Sequence, residues 1–277
     1  MNHLLRELAP IPDAAWKLID DEARERLVPL LAARRVVDFD GGGRWNRSAS
    51  NLGRTTALGG PPPGGPTASG IRVRQRRVLP LVEVRVPFTL DRAELDDVER
   101  GAVDPVLDDL AAAARRAAEI ETRAVFHGWP EAGITGITEV PTHSRRPLGE
   151  DAGTYPRVVA QAVEALRVSG IEGPYALVIG PAGYTRIVET TEHGGYPMLS
   201  HLTKILGGGS ADGSVVWAPG LDGAVVVSSR GGDFQLKVGQ DFSIGYSHHD
   251  ADTVSLYLEE SFTFRIVEPD AAVVLPA

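Results

Sequence analysis

The chain has 277 residues, 43% of them hydrophobic, and a formal net charge of −9. That is enough apolar material for a real core, though the length is short for two large domains. Cysteine is absent, which excludes disulfides, thiolate metal sites and thiol nucleophiles; no run of about 18 apolar residues is present to span a membrane; and the acidic balance is the wrong sign for wrapping nucleic acid. The opening MNHLLRELAPIPDAAW lacks the basic-then-apolar pattern of a secretory signal, so a cytoplasmic protein is expected.

In chain order, DAAWKLIDDEARERLVPLLAARRVVDF sets Trp16, Ile19, Ala23, Leu27, Leu30 and Leu31 at helical spacing. Asp13 is the expected N-cap, and Pro29, lacking an N–H, is expected to kink or divide the helix near Val28. Then come GGGRWNRSASNLGRTTALGG, a Pro/Gly tract within LGGPPPGGPTASG, and IRVRQRRVLPLVEVRVPFTL. In the last of these Ile71, Val73 and Gln75 alternate with Arg72, Arg74 and Arg76, the period of an extended strand. Residues 1–58 hold one helix and cannot form a core alone, so the tract reads as the flexible tip of a two-stranded arm rather than as a domain linker.

LDRAELDDVERGAVDPVLDDLAAAARRAAEIETRAVFHG carries two helical patterns separated near Gly101 to Pro105. The second, about Val106 to Phe126, is alanine-rich and reads as a closely packed central spine. YPRVVAQAVEALRVSG is a further helix, with Val158, Val159, Ala162, Val163 and Leu166 on one side and Gly170 past its end. PYALVIG reads as a buried strand, and PAGYTRIVETTEHGG as a short helix and loop. From Ser214 the chain turns strand-like: VVWAP, GAVVVSS, FQLKVG, DFSIGY and TVSLYLEESFTFRIV, the last alternating Val254, Leu256, Leu258, Phe262, Phe264 and Ile266 with Glu260 as the one interruption. The class is α+β.

Chemistry is sparse. GGGRW, LGGGSADG and SSRGGDF match neither a P-loop nor a dinucleotide fingerprint and read as turns. SHHDADT brings His248, His249, Asp250 and Asp252 together, but adjacent strand residues point to opposite faces, so a polar turn is expected rather than a metal site. GYS at Gly245–Ser247 lacks the second glycine of a nucleophile elbow. The acid pairs Asp96/Asp97, Asp108/Asp109 and Glu259/Glu260 read as solvated faces or inter-chain salt bridges. The basic run IRVRQRR has no interleaved aromatics, so carboxylates on a neighbouring chain are its expected partners. Extended arms without an active site point to an assembly protein and not an enzyme.

Several stretches, in order, resemble the encapsulin family of bacterial nanocompartment shell proteins: LLRELAPIPDAAWKLIDDEAR, RRVVDFDGGGRW, LPLVEVRVPFTLDRAELDDVERG, EGPYALVI, RGGDFQLKVGQDFSIGY and ESFTFRIVEP. The resemblance implies the fold of the tailed-phage major capsid protein, with a peripheral domain, an axial domain and an extended loop. It divides the chain into an N-terminal helix and the start of the peripheral domain (1–45), the extended loop (46–80), a peripheral segment with the spine helix (81–133), an axial domain (134–221), a peripheral sheet (222–247) and a return strand and tail (248–277).

It also implies an icosahedral shell of identical subunits around a cargo enzyme, a dye-decolourising peroxidase or a ferritin-like iron oxidase, held through that enzyme's C-terminal targeting peptide. The peptide site it points to is Arg34, Asp38 and Phe39 together with Asp233, Phe234 and Leu236. The five-fold pore it points to is Glu192, His193, Gly194, Gly195 and Tyr196. Arg72, Arg74 and Arg76 fall on the inter-subunit loop. Where many relatives carry an aromatic associated with flavin, this chain has Ala93, so no cofactor is expected; nor is a metal, nucleic acid or membrane. The alternatives are a bacteriocin-like or proteolytic enzyme, for which no nucleophile–base set is present, and a DNA-packaging prophage capsid, which the charge disfavours.

Overall fold

The computed structural model describes residues 3–59, 71–191, 195–207 and 213–277. The first helix, α1, spans Asp13–Leu27 and stops at Val28, one residue before Pro29. Pro12 takes the cap position and Asp13 begins the helix, so the carboxylate acts on the helix dipole, with no side-chain capping bond. Trp16, Ile19, Ala23 and Leu27 form its buried stripe. A 3-10 turn, Ala33–Arg35, leads into the short strand β1, Asp38–Asp40.

The arm follows as β2, Ala49–Ala57, and β3, Arg74–Pro80, an antiparallel pair whose register slips between Asn51 and Thr55. Along β3 no residue is buried, and along β2 only Ser50 is. A two-stranded ribbon open on both faces is marginal in water. The tract at 60–70, expected at its tip, lies outside the described residues.

β4, Val82–Asp91, runs into α2, Arg92–Glu99, and then α3, Asp108–His127. The spine thus sits where the alanine-rich pattern placed it, within two residues at its start. Ala113, Ala114, Ala117 and Ala118 are all buried, and such small side chains let the helix lie close against β4 and α1.

The remaining elements are α4 (Tyr155–Val168), β5 (Tyr175–Ile179), α5 (Pro181–Glu189), α6 (Met198–Gly207), β6 (Ser214–Trp217), β7 (Ala224–Ser228), β8 (Phe234–Val238), β9 (Ser243–His249), β10 (Thr253–Ile266) and β11 (Ala272–Leu275). The sequence reading missed α6 and β11. Met198, Leu202 and Leu206 recur every fourth residue along α6 and are buried, but glycines crowd both of its ends.

Two sheets organise the body. In the first, β10 is central: β4 lies along one edge, while β9 and then β8 share the other, and β1 adds in parallel to β8. In the second the order is β11-β7-β5-β6. The expected division at 221/222 therefore needs correction. β7, assigned to a peripheral sheet, bonds β5 and β11 instead, as an inner strand of the second sheet with all five of its residues, Ser228 included, buried. Likewise β10 stays in the first sheet, and only β11 returns to the second.

One core packs α4, α6 and the second sheet against the C-terminal half of α3 and the far end of β10. The other packs α1 and the first half of α3 on β4, β9 and the start of β10. The turn reading holds for SSRGGDF, whereas in GGGRW the glycine serves a close approach of two backbones. A side chain at Gly43 would strike the backbone at Val238 and Gly239, and Gly231 and Gly232 both have positive φ. SHHDADT is the β9–β10 hairpin turn, closed by Asp250, whose carboxylate accepts from the N–H groups of Asp252 and Thr253.

Candidate functional site

Between the end of α1 and the start of β9 lies an open groove of about 440 Å³. Leu27, Val28, Leu31, Phe242, Ile244 and Leu258 supply its apolar lining, and Arg6, Asp20, Arg24, Arg34 and Asp241 its charges. One wall comes from the N-terminal segment, which Tyr246 holds by donating its N–H to the carbonyl of Leu4 at 2.8 Å. Further anchors are the Arg6–Asp20 ion pair, Arg6 over the Trp16 ring, and His3, which stacks on Trp45 and bonds Glu259 at 3.0 Å.

The residues singled out for the peptide site lie close together, because β1 pairs in parallel with β8, setting Phe39 beside Leu236, and Asp38, Asp233 and Phe234 line one small pocket; they differ in exposure and in what holds them. Arg34 reaches the groove, but its guanidinium is committed elsewhere. It bonds Glu121 at 2.8 Å, Asp241 at 2.9 Å and Glu260 at 2.7 Å. The rings of Phe39 and Phe242 lie against it at 4.4 and 5.1 Å. Burial opposes the charge on Arg34, yet the carboxylates around it more than offset this and raise its pKa.

Phe39 is 40% exposed and free to meet a ligand, whereas Phe234 and Leu236 are core residues of β8 and present no surface in this chain. They alternate inward along the strand, with Gln235 and Lys237 between them. Asp38 accepts from the Gly232 N–H at 2.7 Å, and Asp233 is buried in a two-bond pair with Arg230. Both acids therefore shape the turn before β8.

Glu259 and Glu260, expected at a solvated face or in inter-chain salt bridges, are both buried and paired within the chain. Glu259 takes Arg85 at 2.7 Å and His3 on one face of β10, while Glu260 meets Arg34 on the other. Glu259, on the polar side of the β10 alternation, had no signal; Glu260 had one, the lapse in that apolar alternation. Glu121 gave a similar one, since it sits on the buried stripe of α3 among Ala117, Ala118 and Val125.

Of the pore residues, Glu192, His193 and Gly194 lie outside the described residues. Gly195 has φ of 79° and Tyr196 is exposed, with the Lys204 ammonium 4.9 Å from its ring centroid. A bridge between Thr191 and Pro197 closes the base of that loop. Arg72, Arg74 and Arg76 are exposed on the arm. The basic run is part of something larger: residues 41–82 hold seven arginines and no acid, which against a whole-chain charge of −9 leaves −16 on the rest. Among the described residues no group of three His, Cys, Asp or Glu side chains is placed to hold a metal ion, and no helix is long and apolar enough to cross a membrane.

A spine helix under a mixed sheet, a second sheet beyond it and a projecting two-stranded arm define a capsid-type fold. A virus-like particle from Pyrococcus furiosus superposes with a TM-score of 0.65 at 16% identity, covering 94% of this chain and 98% of that one. A chain from a structure described as Gordonia phage Cozz superposes at 0.52 with 11% identity, covering 89% of this chain and 86% of that one.

Within that class the family follows from sequence. A family model described as "encapsulating protein for peroxidase" matches residues 1–263. A type 1 encapsulin shell protein of Rhodospirillum rubrum is 50% identical over 99% of this chain and 96% of the relative. Another, from Mycobacterium tuberculosis, is 41% identical over 99% of each. The chain belongs to the encapsulin family; it is a self-assembling shell protein and not an enzyme.

Proposed function

We propose that the shell built from this chain encloses an enzyme whose C-terminal peptide lies in the groove between α1 and β9, and that the arms tie neighbouring subunits together. The groove is the observation that carries the reading. It joins an apolar floor to a charged rim, which suits a short peptide with aliphatic anchors and a polar backbone. Phe39 and Val28, both exposed beside it, extend the apolar surface. Arg34 shapes the floor from beneath. The family description names a peroxidase as what is encapsulated. A peroxidase of the dye-decolourising class or a ferritin-like iron oxidase is the cargo we assign, and the cytoplasm is the compartment. Gly195 and Tyr196 belong to the segment we assign to the five-fold pore, through which small substrates or ions pass.

The arm reading rests on charge and exposure together. An open ribbon carrying only arginines faces a body of −16, so the acidic surfaces of sister copies are its partners. Closed symmetry supplies such a partner to every arm.

The test is co-expression with a reporter protein ending in an apolar targeting peptide. Native particles retain the reporter through purification. Val28→Glu places a charge on the apolar rim, well away from the cores, and is expected to cut retained reporter about tenfold or more while particles form normally. Undiminished reporter in Val28→Glu particles would move the docking site elsewhere.

A further inference from the structure

Beneath the groove one guanidinium faces three carboxyl groups. Arg34 comes from the 3-10 turn after α1, Glu121 from α3, Glu260 from β10, and Asp241 from the turn between β8 and β9. Were all three acids ionised, the cluster would carry two uncompensated negative charges. Asp241 is half exposed and tolerates its share. Glu121 and Glu260 are both almost wholly buried, and Oε2 of the first and Oε1 of the second meet the same Arg34 nitrogen, Nη2, at 2.8 and 2.7 Å. Two carboxylates that close cannot both ionise out of water.

A second observation identifies where a proton belongs. Oε2 of Glu121 takes the Arg34 bonds, but its Oε1 is buried without a hydrogen-bond partner. An orphaned acceptor of this kind bears its desolvation cost with nothing to offset it. Oε1 of Glu260 is likewise occupied by Arg34, at 2.7 Å, which leaves its other oxygen for the neighbouring carboxyl. A proton on that oxygen donates to the bare Oε1 of Glu121 and satisfies it.

We propose that Glu260 and Glu121 share a single proton, resident on Glu260, and that this protonated pair forms an alkali-sensitive joint between the spine helix, the central strand and the groove floor. The other surroundings of Glu260 do not alter its charge balance. Its partner across β4 is Val84. Arg85, Glu83 and His3 gather about Glu259 on the opposite face of the strand. Burial first, and then the Glu121 charge, push Glu260 well above the ordinary carboxylate range, in keeping with this arrangement.

The sign of the effect follows. A carboxyl raised in the folded state binds its proton more tightly there than in the unfolded chain. Stability therefore falls as pH rises from the ordinary carboxylate range up to the raised value, and levels off above it. Glu260→Gln removes the titration and keeps the geometry, since its amide can still donate to Glu121 and accept from Arg34.

Thermal unfolding of assembled native and Glu260→Gln particles from about pH 5 to about pH 9 tests the proposal. The two should melt together at the acid end, with the variant melting progressively higher as pH rises. Infrared spectra at neutral pH should show a protonated-carboxyl band in the native particle that the variant loses. Glu121→Gln relieves the same repulsion, should flatten the same slope, and serves if Glu260→Gln assembles poorly. A melting difference that does not change with pH, or no protonated-carboxyl band, overturns the proposal. Neither readout needs cargo, so a failure of the groove reading leaves this test intact.

Discussion

Truncating Arg34 leaves Glu121 and Glu260 facing each other with no cation between them. Removing one partner of a buried charge cluster typically costs about 3–5 kcal/mol, so Arg34→Ala should lower the melting temperature of the particle markedly, with Arg34→Lys falling between because an ammonium cannot fork to three acids. A particle emptied by Arg34→Ala would thus report a collapsed floor, and Val28 is the better probe of peptide docking. His127 makes the opposite kind of prediction. Its Nε2 accepts the Asp222 N–H at 3.0 Å, and its Nδ1 lies 3.3 Å from the Thr138 hydroxyl. Burial, opposed by Asp222 and aided by Arg123, lowers its pKa below the usual 6.5. The folded state holds the neutral ring, so stability is full above that value and is lost as pH falls through it to the lowered one. His127→Gln keeps an acceptor for Asp222 and should flatten the acid limb of a melting-temperature profile that slopes in native particles.

At the scale of elements, the arm is where one chain is least complete. β2 and β3 satisfy each other on one edge only, and their outward faces carry Arg54, Arg74, Arg76 and Arg77 with no acid nearby in sequence. Replacing Arg72, Arg74 and Arg76 together with glutamate should leave the subunit folded but shift native mass from closed particles toward smaller species, and more so at low salt, where like charges repel further. Particles of unchanged yield and melting temperature would show that the arm's arginines do not hold subunits together. Helices and strands with a clear period were legible: α1, the spine, α4 and β10 each repeat their apolar residues at the spacing their geometry demands. Sheet membership was not. β7 and β8 are both short and bounded by glycine, and nothing local to either tells which sheet it joins.

For the whole molecule, His127 and Glu260 set opposite limits. One half-buried base weakens the fold toward acid and one buried acid weakens it toward alkali, so greatest stability is expected between them. The order of the elements and the basic arm on an acidic body could be read along the chain, because each depends on residues close together in sequence. The fate of the acids could not. Glu259 looks like any solvated acid, and Glu260 shows only a break in an apolar pattern, until Arg34 and Glu121, from distant segments, close over Glu260 and Arg85 and His3 over Glu259. Burial and charge belong to neighbours in space, and residues 34, 121, 241 and 260 become neighbours only when the turn after α1, the spine helix and the first sheet pack together.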